Sequence, residues 1–118
     1  MKHILIVEDD KLLQKLYTDE FSDMELTILE TADKTYEYLS SHTPDLILLD
    51  VMLPGGKNGF DILEFLKRSD TLKQIPVIMM TNLESEKETA ISIGATDYCI
   101  KADLELSELR QKINALLQ

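Results

Sequence analysis

The sequence predicts an α/β protein, a doubly wound parallel sheet with helices on both faces. Two observations carry that expectation. Short, continuous apolar runs occur at Ile4-Leu5-Ile6-Val7, Leu46-Ile47-Leu48-Leu49 and Val77-Ile78-Met79-Met80, and unbroken apolar character marks strands buried on both faces rather than on one. Stretches with helical spacing lie between these runs, so that strand and helix alternate about five times, the signature of a parallel sheet linked by crossover helices. Right-handed crossovers leave few topologies for such a chain, and a doubly wound sheet is the simplest.

Taken in order, Ile4–Val7 forms the first strand. Leu12, Leu13, Leu16, Tyr17 and Phe21 are spaced to fall on one side of a first helix. Leu26 to Leu29 is a weaker second strand, and Tyr36 with Leu39 marks a short second helix. The third strand ends at Asp50; Ile62, Leu63 and Leu66 give the third helix, stopped before Pro76. After the fourth strand, Glu86 to Ile93 reads as a helix closed by Gly94, a residue suited to the left-handed position past a helix end. Tyr98 to Ile100 is the last strand, and Leu106, Leu109, Ile113, Leu116 and Leu117 form the most regular helix. Residues 1–118 are expected to form one domain, since 118 residues suffice for one core and not two.

Composition excludes several classes of function. Twelve Lys and Arg against 22 Asp and Glu give a formal charge of −10, which repels a phosphate backbone and argues against direct nucleic-acid binding. The single cysteine, Cys99, rules out an internal disulfide and fits a reducing compartment. No stretch is long enough to span a bilayer and no secretory signal is visible. A cytoplasmic location without membrane contact is therefore expected.

In doubly wound sheets the functional crevice lies beyond the carboxyl ends of the strands. There the sequence places Glu8, Asp9 and Asp10 after strand one, Asp50 at the end of strand three, Thr81 after strand four and Lys101 after strand five. Each alone has an ordinary reading as a cap or surface residue; Asp9 and Asp10 are candidates to cap the first helix. Gathered at one rim, the carboxylates repel one another and favour a hard cation, and an open oxygen cluster with room for water and phosphate suits Mg²⁺. Such an ion neutralises an incoming phosphoryl group, aspartate is a competent phosphoryl acceptor, and a lysine and a hydroxyl supply donors to the phosphoryl oxygens.

The segments Ile4-Leu5-Ile6-Val7-Glu8-Asp9-Asp10, Asp45 to Gly55, Pro76-Val77-Ile78-Met79-Met80-Thr81 and Asp97-Tyr98-Cys99-Ile100-Lys101 together resemble the response-regulator receiver family of two-component signalling. The likeness covers essentially the whole chain and extends to stand-alone chemotaxis-type receivers. It implies a flavodoxin-like sheet of order 2-1-3-4-5, an order that spacing alone does not give. It further implies that Asp50 accepts the phosphoryl group, that Asp9 binds Mg²⁺ directly, that Glu8 acts through bound water, and that the Met52 carbonyl completes the protein ligands. Thr81 becomes the switch hydroxyl, Lys101 the partner of the phosphoryl oxygens, and Tyr98 the aromatic that turns on activation. The implied donor is a histidine kinase or phosphotransfer protein, and a downstream protein would read the face formed by helix four, strand five and helix five. The expected role is that of a phosphorylation-controlled signalling domain rather than an enzyme.

Three features depart from the family pattern. Ala102 follows Lys101 where many relatives carry a cis proline, so a trans bond is expected. The segment Pro54 to Gly59 is one residue longer than usual, which costs little. Asn82 replaces a small residue and is expected to narrow access to Asp50. The resemblance implies that Met52 and Leu83 occupy positions that tune acyl-phosphate hydrolysis, and neither side chain hydrogen-bonds a water, so slow self-dephosphorylation is expected. His3 and His42 read as surface groups, Cys99 as a small buried hydrophobe, and Gly55-Gly56 as turn glycines. Competing readings fare worse. A phosphohydrolase of the aspartyl-phosphate type would need an aspartate where Met52 stands, a flavin carrier would not place Glu8-Asp9-Asp10 against a phosphate, and an unphosphorylated docking scaffold leaves the full set of acids, threonine and lysine without a purpose.

Overall fold

A computed structural model describes residues 1–118. Its five strands are β1 (His3–Val7), β2 (Glu25–Leu29), β3 (Leu46–Asp50), β4 (Val77–Thr81) and β5 (Asp97–Ile100). The helices are α1 (Lys11–Glu20), α2 (Ala32–Leu39), α3 (Gly59–Arg68), α4 (Lys87–Ile93) and α5 (Leu106–Leu116), with 3₁₀ turns at Glu84–Glu86 and Lys101–Asp103. All neighbouring strands are parallel, in the order β2-β1-β3-β4-β5.

The apolar runs are the centre of the sheet, where β3 and β4 are buried at every residue. The pleat splits these runs between two cores. Leu5, Val7, Ile47, Leu49, Val77 and Met79 pack with Ile62, Leu63 and Leu66 of α3 and Ala90 of α4. Ile4, Ile6, Leu46, Leu48, Ile78 and Met80 pack with Tyr17, Phe21, Leu109 and Ile113 on the α1 and α5 side. The edge strands β2 and β5 are only half-buried, which accounts for their weaker sequence signal.

Local chemistry sets the helix ends. The Asp10 side chain accepts from the Leu13 N–H at 3.1 Å, so the capping role falls to Asp10 rather than Asp9. Asn58 and Asp61 form a reciprocal capping box at the start of α3. Gly94 ends α4 with φ 128°, as its position predicts. Lys101–Ala102 is trans.

Two expectations are corrected. The first helix does not bury all five apolar residues: Leu13, Tyr17 and Phe21 face the sheet, whereas Leu12 is 67% and Leu16 38% exposed. One sheet face offers room for a stripe one residue wide per turn, and the i, i+4, i+8 set occupies it. His3 is not a free surface group, because its Nε2 lies 2.8 Å from Thr27 Oγ1 and 3.1 Å from the Tyr38 hydroxyl.

Candidate functional site

Register builds the site. Val7 pairs with Leu49, so the next residues, Glu8 and Asp50, leave adjacent strands side by side. Asp50 pairs with Met80 and Thr81 with Ile100, which carries Lys101 to the same rim one residue later. Glu8 and Asp50 continue the Ile4/Ile6 and Leu46/Leu48 side of the pleat, above α1 and α5. Thr81 continues the Val77/Met79 side, which it shares with Tyr98, paired to Met79. Glu8 and Asp50 therefore continue one side of the pleat and Thr81 the other.

Glu8, Asp50 and Thr81 are all buried, at 2%, 3% and 3% exposure, while Asp9 is exposed. Carboxylate oxygens of Glu8, Asp9 and Asp50 lie within 4.8 Å of one another. Lys101 Nζ is 3.0 Å from Asp50 Oδ2 and 2.8 Å from Glu8 Oε1. It donates a well-aligned hydrogen bond to Asp50 only; the Glu8 contact is close in distance but off-axis, and Glu8 Oε1 remains a buried oxygen with no hydrogen-bond donor. The other Asp50 oxygen accepts from the Met52 N–H at 3.3 Å, and Glu8 Oε2 accepts from the Asp10 N–H at 3.1 Å. These groups border an open cavity of about 440 Å³ that Met52, Leu53 and Pro54 complete.

One ammonium therefore faces two buried carboxylates and a third at the mouth. Burial pushes the Asp50 carboxyl up to about 7, and the charge of Glu8 adds to the shift, while the hydrogen bond from Lys101 opposes it. Burial alone would lower the Lys101 ammonium, but its contacts to Glu8 and Asp50 hold it above its ordinary value. Beneath them the Tyr17 phenol, buried and without a hydrogen-bond partner, is raised strongly by burial and by the charges of Glu8 and Asp50.

Thr81 is not turned to this cluster. Its hydroxyl donates to Glu86 Oε1, and the Leu83 N–H donates to Thr81 Oγ1 at 3.1 Å. Tyr98 is half-buried with Lys87 Nζ 4.7 Å from its ring centroid. Met52, Asn82 and Leu83 have exposed side chains, Met52 at 75% and Leu83 at 56%.

Three contributors escaped the sequence reading. Gly59 is one: a Cβ there would stand 2.1 Å from the Asp50 carbonyl oxygen. Only glycine lets the first turn of α3 approach the end of β3, with Gly59 N–H donating to Val51 O at 2.8 Å. Its place directly after a capping Asn is the signal that was available. Gln14, whose amide donates to Glu8 O at 2.6 Å and Glu30 Oε2 at 2.7 Å, fixes the backbone before the acids. Glu86 lies five residues past Thr81 with nothing in the sequence to connect them.

A sequence profile described as the response regulator receiver domain matches residues 4–114. The chain belongs to this family. It is 38% identical over 120 residues to the uncharacterized transcriptional regulatory protein YkoG of Bacillus subtilis, covering 98% of this chain and 51% of that protein. It is 33% identical over 121 residues to the phosphate regulon transcriptional regulatory protein PhoB of Escherichia coli, covering 99% of this chain and 52% of PhoB. The receiver domain thus spans about half the length of these relatives. The receiver domain of the sensor histidine kinase PA1611 of Pseudomonas aeruginosa, solved with magnesium coordinated in its active-site cleft, superposes with a TM-score of 0.87 at 21% identity, over 98% of this chain and 97% of that one. That likeness bears on the fold, and the observed strand order is the one the family resemblance implies. As a receiver, the domain is a signalling module of two-component systems rather than a conventional enzyme. No helix is long and apolar enough to cross a membrane.

Proposed function

We propose that residues 1–118 act as one phospho-accepting unit in which Asp50 takes a phosphoryl group from a phosphohistidine of a histidine kinase or phosphotransfer protein. The observation that carries this reading is the meeting of Glu8, Asp9 and Asp50 carboxylates within 4.8 Å, with the Lys101 ammonium against two of them.

The residues present fit Mg²⁺. The donors are all oxygens, Glu8 Oε1 is buried with only the Lys101 ammonium beside it, and the cavity above them is open. Asp9 and Asp50 would hold the ion directly with the Met52 carbonyl, and Glu8 through water. When bound, the ion supplies positive charge to the phosphoryl oxygens and screens the acids from one another.

The protein groups divide the remaining work. An Asp50 carboxylate oxygen attacks phosphorus; the Asp50 O–P bond forms as the P–N bond breaks, and the electron pair leaves on the donor imidazole nitrogen. The Met52 N–H and Lys101 hold the Asp50 carboxylate in one orientation before attack. Lys101 then moves from carboxylate to phosphoryl oxygen, a short shift for an ammonium already at hydrogen-bond distance. Thr81 donates its hydroxyl to another phosphoryl oxygen, and Tyr98 follows on the same side of the sheet. The surface that reports the change is the α4-β5-α5 face, where a cleft of about 240 Å³ is lined by Tyr98, Leu104, Leu109 and Lys112. The net charge of −10 makes a protein the expected reader rather than nucleic acid or a membrane.

Intact mass after incubation with acetyl phosphate and Mg²⁺ tests the assignment. A single phosphoryl adduct is expected on the wild type and none on Asp50→Asn; an adduct retained by the variant would move the acceptor elsewhere.

A further inference from the structure

We infer that Glu86 is a positioning residue that competes with the phosphoryl group for Thr81, so that the chain carries its own brake on activation. The inference rests on the proposed role of Thr81 and extends it to a residue with no part in holding metal or phosphate.

The case begins with the hydrogen-bonding capacity of a hydroxyl. Thr81 Oγ1 has one proton to give and two lone pairs with which to accept. One lone pair is taken by the Leu83 N–H, and the proton is committed to Glu86 Oε1. A phosphoryl oxygen is an acceptor only, so Thr81 cannot serve it while serving Glu86. The two acceptors exclude one another at a single hydrogen atom. Glu86 also carries a negative charge, so its approach to Thr81 becomes less favourable as a phosphoryl group gathers charge at Asp50.

The surrounding backbone gives this competition a mechanical consequence. Glu86 closes the 3₁₀ turn Glu84–Glu86 through its N–H to Leu83 O at 3.0 Å, and Lys87 begins α4 immediately after it. Lys87 Nζ rests over the Tyr98 ring. Adjacent residues thus hold Thr81 and Tyr98, the two groups proposed to move, from the same side of the sheet. Losing the Glu86 contact frees the turn and the first residue of α4 together, which biases Tyr98 without any direct contact between Thr81 and Tyr98.

The test is a titration with beryllofluoride, an aspartyl-phosphate mimic, in Mg²⁺, followed by ¹⁵N amide shifts. Glu86→Ala is expected to bind the mimic about tenfold more tightly than wild type, the size expected for losing one charge-assisted hydrogen bond in the resting state. Glu86→Gln, which keeps an acceptor but not the charge, is expected to fall between. The gain should vanish in a Thr81→Ala background, since a brake that acts through Thr81 has nothing to hold there. Before any mimic or metal is added, the Leu83 and Lys87 amides of Glu86→Ala should already shift toward their mimic-bound positions.

Unchanged affinity in Glu86→Ala, with Thr81→Ala weakened, overturns the brake and leaves the Thr81 role standing. A gain that persists in the double variant also overturns it, since Glu86 would then act by charge alone. If adding Thr81→Ala to Glu86→Ala leaves the affinity of Glu86→Ala unchanged, the proposed switch role itself fails, because there Thr81 has no Glu86 contact to exchange for the phosphoryl oxygen. Glu86 is only partly buried and heads a turn, so the variants are expected to keep the wild-type melting behaviour, and a melt accompanies each titration.

Discussion

Replacing Asp50 by Asn should stabilise the protein, although it destroys the proposed acceptor. At ordinary pH the resting site holds two buried carboxylates against one ammonium, and the Asp50 carboxyl is lifted from 3.8 to about 7, first by burial and then by Glu8. A folded-state value above the unfolded one means that the native state binds the extra proton. Stability from this group is therefore greatest below pH 4, falls as pH rises through the window to about 7, and is level above it. Three units at 1.36 kcal/mol each make the ionised Asp50 cost up to about 4 kcal/mol above pH 7. About half should return in the variant, because the amide is still buried and loses the charge-assisted hydrogen bond from Lys101. The Met52 N–H keeps its acceptor, and Lys101 is left in a one-to-one pair with Glu8. With an unfolding entropy near 0.25 kcal/mol per degree for a chain of this length, about 2 kcal/mol raises the melting temperature by about 8 °C. Circular dichroism melts of both proteins at pH 8 in EDTA measure this directly. The gap should narrow below pH 7, close between about pH 5 and 6 where half of the wild-type cost has gone, reverse by about 2 kcal/mol near pH 4, and shrink at pH 8 when Mg²⁺ is added, since the metal stabilises the wild type more. An Asn variant that melts at or below the wild type at pH 8 without metal would refute the charge accounting.

Other perturbations probe separate links. Gly59→Ala forces a Cβ to 2.1 Å from a backbone oxygen that cannot swing aside; a loss of about 2–3 kcal/mol, in the range of overpacked cores, and a slower phosphoryl uptake should appear together in denaturant melts and mass spectrometry. Asn58→Ala removes one arm of the α3 capping box and should cost about 1 kcal/mol in the same melts while leaving the phosphoryl adduct intact. The phosphorylated protein should lose its adduct over minutes or longer in Mg²⁺, because the exposed Met52 and Leu83 side chains offer attacking water no hydrogen bond. A lifetime of seconds by time-resolved mass would contradict that, and Met52→Asn should shorten whatever lifetime is found.

The centre of the fold was plain in the sequence because β1, β3 and β4 are buried on both faces and so are apolar without interruption. Their ends were equally plain, since Glu8 and Asp50 interrupt those runs with charge. The helix α1 was misread in its details: Leu12 and Leu16 satisfy the same periodicity as Leu13 and Tyr17, and only the position of the sheet decides which pair is covered. The contacts of Gln14 and Glu86 were illegible for another reason. Each joins a side chain to a strand end across a turn, and nothing in spacing distinguishes a long polar residue that reaches back from one that stays in water. Thr81 shows the same limit. Its placement at the end of β4 was readable, but the engagement of its proton by Glu86 required coordinates.

The balance of charge connects these observations. The proposed binding of a dication calls for excess negative charge, and Glu8, Asp9 and Asp50 against Lys101 supply that excess. Such a cluster destabilises the resting fold, so it can persist only where the backbone beneath it is over-determined. The fully buried strands β3 and β4 and the glycine-tight junction of α3 with the end of β3 provide that support. The same excess suits the rim to switching. Adding positive charge by metal relieves the acids, adding a phosphoryl group creates new demand for Lys101 and Thr81, and Thr81 is the group whose proton is already engaged elsewhere. On the proposed reading, activation in this chain is a contest over one ammonium and one hydroxyl, set by acids that the core holds in place.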